Sequence, residues 1–173
     1  MRAVCLEECL WIGEHLKWCK ALETVNKPID DNDLCTWKPA NAEWIYLLKV
    51  LGNTLAYVPS TDTVHYVAPD FCLGSSCPAT TVLVCQCVTD PDDQPKLLAV
   101  DILCYRSEAA SMRPHERYQL LRHMAPHLPA RCRVQWCGQR SALTPEFLGS
   151  LPHQVEAMVA LGEEPGVVLL ERR

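Results

Sequence analysis

The sequence predicts an α+β domain with an antiparallel β-sheet core and flanking helices, and three observations support this class. Two apolar runs, at 80–88 and 96–105, are separated by a turn rich in Pro and Asp, which is the pattern of a long β-hairpin. Shorter strand-like runs precede the hairpin, and segments with helical periodicity follow it. This order of strands followed by mixed helices and strands is typical of α+β folds.

The predicted sheet begins at Trp44. Runs at 44–51 and 54–58 are separated by Gly52-Asn53, a dipeptide that favours a tight reversal. A third run at 63–68 and a loop at 69–78 then lead into the hairpin. The region 44–105 is therefore predicted to be an antiparallel meander of about five strands.

Two helices and two further strands are predicted after the hairpin. Pro114 opens the first helix, whose expected core face carries Tyr118, Leu120, Leu121 and Met124 and whose other face carries Arg113, Arg117 and Arg122. A strand is predicted at 131–137. Thr144 as N-cap and Pro145 at the first position then predict a second helix that packs inward through Met158 and ends at Gly162. The last strand is predicted at 167–170.

The N-terminal part is expected to be separate in character. Residues 3–22 show apolar residues at alternating spacings of four and three, which predicts an amphipathic helix that packs on the domain or on a protein partner. Residues 26–41 are polar and contain prolines, so we expect a connector there. The predicted organisation is a helix and connector at 1–40 and one domain at 41–173, truncated at its C-terminal end.

Composition favours a folded intracellular protein. Of the 173 residues, 49% are hydrophobic and 21% are charged, and no apolar run is long enough to span a membrane. Charged residues interrupt the first twenty positions, so we expect no signal peptide. The eleven cysteines are odd in number and often lie in apolar strands, which favours an intracellular protein with reduced thiols. The expected location is the cytoplasm and nucleus. Pairs at 72/77 and 132/137 lack zinc-finger spacing, so neither a metal nor a cofactor is expected.

Charge is distributed unevenly. The net charge is −5, but residues 104–140 contain seven arginines and two glutamates, a balance of +5 that leaves −10 for the remainder. Such a segment is compatible with a localised anionic ligand, and equally with a solvated helix face and loop. Asp101 stands out because a carboxylate inside an apolar strand needs a partner. We expect it to pair with Arg106 or with a neighbouring backbone amide.

Several motifs resemble the lysine-dependent nucleotidyltransferase fold of RNA capping enzymes and polynucleotide ligases. They are Lys49-Val50-Leu51-Gly52, the hairpin that ends in Asp101-Ile102-Leu103, an Arg-bearing helix, and Gly166-Val167-Val168. The family's chemistry needs an activated lysine and metal-binding carboxylates. Here Leu51 replaces the acid of the lysine motif, Val84-Cys85-Gln86 replaces an Asp-Gly-Glu set, and Pro165 replaces a Glu. The sequence therefore predicts a protein that is not an enzyme, with Lys49 an ordinary strand lysine.

The pattern also resembles snurportin-type cap-binding domains, in which the nucleotide pocket is kept and the catalytic groups are lost. The resemblance rests on Glu43-Trp44-Ile45, Ser60, Val100 to Arg106, Thr144-Pro145-Glu146 and Gly166 to Leu169. It implies non-catalytic binding of a hypermethylated guanosine cap on RNA, or of a guanine nucleotide, in the nuclear import of small nuclear ribonucleoproteins. The implied ligand-binding residues are Trp44 for stacking, Ser60 and Thr61 in the cap-contacting turn, and Arg106 for an anion. Two alternatives remain: a residual nucleotidyltransferase that uses Lys49, and a protein-interaction domain with a closed pocket.

Overall fold

The computed structural model describes residues 2–3, 23–26, 28–50, 52–78, 80–89, 91, 94–106 and 108–172. Within these ranges the chain forms two β-sheets and two α-helices. The helices are α1 (Pro114–Met124) and α2 (Pro145–Gly149). The strands are β1 (Arg2–Ala3), β2 (Glu23–Asn26), β3 (Leu34–Pro39), β4 (Glu43–Val50), β5 (Asn53–Val58), β6 (Thr63–Tyr66), β7 (Thr81–Thr89), β8 (Pro95–Tyr105), β9 (Glu108–Ala109), β10 (Cys132–Val134), β11 (Gly138–Gln139), β12 (Val155–Leu161) and β13 (Val167–Arg172).

The large sheet contains the predicted meander. Its order is β1-β6-β5-β4-β7-β8-β10, and β9 pairs with β8 outside this path. Every pair in it is antiparallel except β8 with β10, which is parallel. The hairpin of β7 and β8 forms as predicted, with register shifts between Val82 and Leu83 and between Val84 and Cys85. Such irregularities bend a strand and re-aim its side chains.

The small sheet has the order β11-β3-β12-β13-β2. Its pairs are antiparallel except β13 with β2. The two sheets share a core in which Val100 of β8 packs with Ala157, Val159 and Val168 of the small sheet. On the opposite face of the large sheet, Leu121 and Met124 of α1 pack against Leu47 and neighbouring strand residues. The chain thus has an α+β fold with mixed, mainly antiparallel sheets, and the predicted fold class is confirmed.

The predicted second helix is the largest error in secondary structure. Its N-cap is present, because the Thr144 hydroxyl accepts from the Phe147 amide, but α2 ends at Gly149. Pro152 follows at once, and proline inside a helix removes a hydrogen bond and clashes with the preceding turn. Residues 155–161 instead form β12, in which Ala157 and Val159 face one core while Ala160 faces the other. This period of two is that of a strand buried on both faces.

The predicted connector is also partly wrong. Strand β3 lies inside the segment 26–41, and its residues Cys35 and Trp37 are buried in the outer core of the small sheet. The helix predicted at 3–22 lies outside the described residues, apart from Ala3, which belongs to β1. Among the described helices, none has the length and apolar character that crossing a membrane requires.

Gly166, at the turn into β13, gives a first test of the fold. Its φ is +81°, in the left-handed region, and a Cβ there would lie 2.8 Å from Leu103 Cδ2. Gly166→Ala is therefore expected to lower the free energy of unfolding by about 2 kcal/mol, measured by urea denaturation. Gly74→Ala is the matched control, because a Cβ at Gly74 meets nothing within 4 Å. Equal stability of the two variants would contradict the strain assigned to Gly166.

Candidate functional site

Lys49, the candidate nucleophile, lies near the end of β4 and is 6% exposed. Its Nζ donates hydrogen bonds to the carbonyl oxygens of Gly74 and Cys77. The Leu73 amide, in the same loop, donates to the Thr54 hydroxyl at 2.8 Å, and Thr54 is the partner of Lys49 on β5. Together these contacts attach the loop at 69–78 to the large sheet. In this conformation the lysine amine is bonded to main-chain oxygen atoms.

Lys49 and Gln86 point to opposite faces of the large sheet. Because side chains alternate along a strand, Lys49 shares its face with Ile45 and Leu47, which pack towards α1. Gln86 is paired with Trp44 in register, and Trp44 packs into the core between the sheets. The lysine and the position expected to carry a metal-binding acid are therefore separated by the sheet.

Gln86 belongs to a buried amide network that joins the two sheets. Its Nε2 donates to the Trp37 carbonyl of β3 and to Gln135 Oε1, both at 3.0 Å. Gln135 Nε2 in turn donates to the Thr36 hydroxyl and to the same Trp37 carbonyl, each at 2.7 Å. Gln86 is fully buried, and its Oε1 has no hydrogen-bond partner within the described part of the chain. A neutral amide thus occupies the place of the expected carboxylate.

These residues do not fit a divalent metal ion. Magnesium prefers carboxylate oxygen ligands, whereas Val84, Gln86 and Pro165 stand at the three acid positions. Both hydrogen bonds that the Gln86 amino group donates go to protein oxygen atoms, the Trp37 carbonyl and Gln135 Oε1. Over the ranges that the structure describes, no group of three or more His, Cys, Asp or Glu side chains is arranged to hold a metal.

Asp101 forms a buried ion pair with Arg117 of α1. Arg117 Nε lies 2.9 Å from Asp101 Oδ1, and the two side chains are 0% and 1% exposed. The amide of Ile102 donates to Oδ1 at 2.8 Å, and the amide of Gly166 also bonds the carboxylate. Burial raises the pKa of Asp101, and the neighbouring Arg117 guanidinium opposes that rise. The hairpin and the late strand, two parts of the family resemblance, are thus in direct contact.

Arg117 also joins α1 to the turn between β12 and β13. It donates to the carbonyl oxygens of Gly162 at 2.6 Å and Glu163 at 3.0 Å, and to that of Met112 at 2.7 Å. The expectation of a backbone amide beside Asp101 is confirmed by Ile102, but the expected pairing with Arg106 is wrong. Arg117 is buried, whereas the sequence predicts it on the helix face opposite the core. Its spacing of four and seven from the core residues Leu121 and Met124 is the signal that places it on the buried face.

The predicted ligand-binding residues lie at two distant places. Arg106 is exposed after β8, with a φ of +52° and its guanidinium 5.3 Å from the centroid of the Tyr105 ring. Trp44 is half-buried at the start of β4. Strand register places Trp44 beside Gln86 and Cys104 beside Val82, so the two places are separated by roughly 15–20 Å along the sheet.

Ser60 and Thr61 lie in the turn between β5 and β6, at the same end as Trp44. The Ser60 hydroxyl donates to Glu43 Oε1 at 2.5 Å, and Glu43 directly precedes Trp44. The Thr61 and Thr63 hydroxyls are 2.7 Å apart, and the Tyr57 hydroxyl donates to Asp62 at 2.9 Å. The structure therefore places Ser60 and Thr61 at the same end of the sheet as Trp44, but Ser60 bonds Glu43, whose side chain alternates with that of Trp44 along β4. Arg106 lies at the other end.

Comparison with solved structures identifies ligase structures with a similar architecture. Mycobacterial DNA ligase D complexed with ATP and MES matches with a TM-score of 0.61 and 15% identity over 87% of this chain and 60% of that one. The ligase domain of M. tuberculosis LigD matches with a TM-score of 0.55 and 13% identity over 87% of this chain and 58% of that one. This chain thus spans about three fifths of each structure. No protein-family model and no curated protein sequence matches it.

The chain has a nucleotidyltransferase-like fold. At these identities the matches show the fold and not the reaction. These matches support the nucleotidyltransferase-like fold that the snurportin-type resemblance implied. They do not support cap binding or the other features of that resemblance. The expectation that the chain is not an enzyme is contradicted, because the matching structures are those of a DNA ligase and a ligase domain. That expectation rested on missing acids, which are side-chain identities within a backbone that resembles the ligase fold.

Proposed function

We propose that this chain is a nucleotidyltransferase-class domain that binds a nucleoside triphosphate and receives the nucleotidyl group on Lys49. The observation that carries the proposal is the shared fold with a ligase that was solved in complex with ATP. Lys49 supports it by position, because it is the penultimate residue of β4 and lies three residues before the Gly52 turn, as in the Lys-x-x-Gly motif.

The transfer requires Lys49 to leave its carbonyl partners. The deprotonated Nζ attacks the α-phosphorus, a nitrogen–phosphorus bond forms, and pyrophosphate leaves with the electrons of the broken phosphoanhydride bond. The ammonium loses two protons in all. The loop at 69–78 must therefore release the amine from the carbonyls of Gly74 and Cys77 before attack. No step is assigned to a protein-bound metal, because the residues at the expected acid positions do not fit one.

The proposal is tested by covalent labelling. Incubation with α-phosphate-labelled ATP or GTP as the magnesium complex is expected to give a radiolabelled protein band that survives denaturation. Mass spectrometry of the wild-type chain should locate the adduct on Lys49, which makes the result independent of how well any variant folds. Lys49→Arg is expected to abolish the label, whereas the control Lys38→Arg retains it, since Lys38 bonds Glu156 in the small sheet. Absence of an adduct with both nucleotides, or an adduct on another lysine, would refute the proposed transfer.

Capped RNA is a second candidate ligand, favoured by the partial exposure of Trp44 at the end of the sheet where the Ser60 and Thr61 turn lies. A stacking role for Trp44 predicts that a methylated guanosine cap analogue quenches tryptophan fluorescence and that Trp44→Ala removes the quenching. The carboxylates of Glu43 and Asp62 in the same cluster would oppose a triphosphate. Arg106 cannot contact the same ligand moiety, because it lies at the other end of the strands.

A further inference from the structure

A second site is formed by a groove between α1 and the segment 134–137. We call it the Trp136 groove. It is a cavity of about 420 Å³, and six residues line it: Tyr118, Arg122, Ala125, Val134, Trp136 and Cys137. It contains aromatic and cationic groups and no acidic side chain. Strand order places β10, at the edge of the large sheet, three positions from β4, which corresponds to roughly 14 Å from the Lys49 strand.

Trp136 is an exposed aromatic side chain held in a fixed position. It is 42% exposed, and among the described residues it is the large hydrophobic side chain that is exposed to solvent. Gly138 lies against its ring so closely that a Cβ there would overlap it. The Phe147 ring lies 5.7 Å away at 54°, and the Trp136 carbonyl accepts from the Thr36 hydroxyl at 2.8 Å. A tryptophan supported in this way loses little conformational entropy when a planar ligand stacks on it.

Arg122 provides an exposed cation that lines the same groove as Trp136. Several arginines of the basic segment are engaged, since Arg117 pairs with Asp101 and Arg140 with Glu171. Arg122 is exposed, forms no ion pair among the described residues, and lies with its guanidinium 5.9 Å from the Tyr118 ring centroid. The Tyr118 hydroxyl accepts from the Cys137 amide at 3.1 Å, and this bond holds α1 against the segment 134–137 on the other side of the groove.

We propose that the Trp136 groove binds single-stranded nucleic acid, with a base stacked on Trp136 and a phosphate bonded to Arg122. An aromatic platform beside a cation is the combination that binds single strands with little sequence preference. The segment 104–140 has a balance of +5, and the pairing of Arg117 with Asp101 and of Arg140 with Glu171 leaves +3 in a chain of −5. This remaining positive charge complements a polyanion at this place and not over the whole surface. The site is independent of the nucleotide proposed to react with Lys49.

The experiment measures fluorescence anisotropy of a labelled oligouridylate and a labelled oligothymidylate titrated with the full chain. Trp136→Ala is expected to weaken binding by about 5- to 150-fold, and Trp136→Phe, which keeps a stacking face, by less. Arg122→Gln should weaken binding and reduce the slope of log affinity against log salt by about one. Arg172→Gln, the same charge change in the small sheet, should leave both quantities unchanged. Thermal unfolding of each variant verifies that it is folded.

Three outcomes would overturn the proposal. They are an absence of binding to either oligonucleotide at low salt, binding that is unaffected in both Trp136→Ala and Arg122→Gln, and equal Trp136-dependent binding of poly-glutamate. The last would assign the groove to an acidic polypeptide. Because the assay contains no nucleoside triphosphate, its failure is distinguishable from a failure of Lys49 labelling.

Discussion

Replacing Arg117 with methionine is expected to lower the free energy of unfolding by about 3–5 kcal/mol at neutral pH, the largest effect of any substitution considered. The substitution leaves the Asp101 carboxylate without its cation in a site that is 1% exposed. It also removes the donors to the carbonyls of Met112, Gly162 and Glu163. Buried acceptors that lose a partner carry a desolvation cost of their own.

The loss should depend on pH in a definite direction. Burial already raises the pKa of Asp101, and removal of the opposing guanidinium raises that pKa further. A carboxyl whose pKa is higher in the folded state binds more protons there, so the stability of the variant falls as the pH rises from about 4 towards the raised pKa. Above that pKa the penalty is complete, and below about pH 4 it is smallest.

Denaturation by urea at several pH values tests this expectation. Lys38→Met is the matched control, because Lys38 forms a more exposed pair with Glu156 and its loss should change stability by less than about 1 kcal/mol. The double variant Asp101→Asn with Arg117→Met should recover part of the loss, since it removes the unpaired charge. A pH-independent penalty in Arg117→Met would show that packing, and not the carboxylate, causes the loss.

The hairpin was predictable because its signals are local. The apolar runs at 80–88 and 96–105 and the turn between them gave β7 and β8 to within one residue at each end. The partner of Asp101 was not predictable from neighbours, because Arg117 is sixteen residues away and reaches it only through the packing of α1 on the sheet. Arg106 is nearer in sequence, but it is exposed. Register, helix orientation and burial decide such a pair.

Strand β12 shows a different limit. The sequence Thr144-Pro145-Glu146 is a correct helix start, and α2 begins there. The apolar residues that follow satisfy helical spacing, but they also alternate between two cores, and Pro152 excludes a continuous helix. The outcome depends on β3 and β13, which supply strand partners on both sides of β12. Long-range strand register likewise determines that the predicted site residues Trp44 and Arg106 lie far apart, and local sequence does not show it.

Gln86→Glu is expected to be the second most destabilising change, with a loss of about 3 kcal/mol at neutral pH. The substitution restores the acid that the family motif contains, but at this position a carboxylate would face the Trp37 carbonyl and Gln135 Oε1, both of which are acceptors. Two hydrogen bonds are lost, and a charge is buried in a site with 0% exposure. Protonation relieves the charge, so the loss should shrink as the pH falls towards about 4.

Gln86→Leu separates the two costs, because it removes the same hydrogen bonds and introduces no charge. The Trp37 carbonyl keeps its bond from Gln135 Nε2, and the unpartnered Gln86 Oε1 disappears, so we expect a loss of only about 1–2 kcal/mol with no dependence on pH. Urea denaturation of both variants should therefore place Glu below Leu at neutral pH and bring them together in acid. Wild-type stability of Gln86→Glu at neutral pH would instead show that a cation or a proton donor enters this position. In that case the restored acid, together with Lys49, would be the first pair to examine for nucleotidyl transfer.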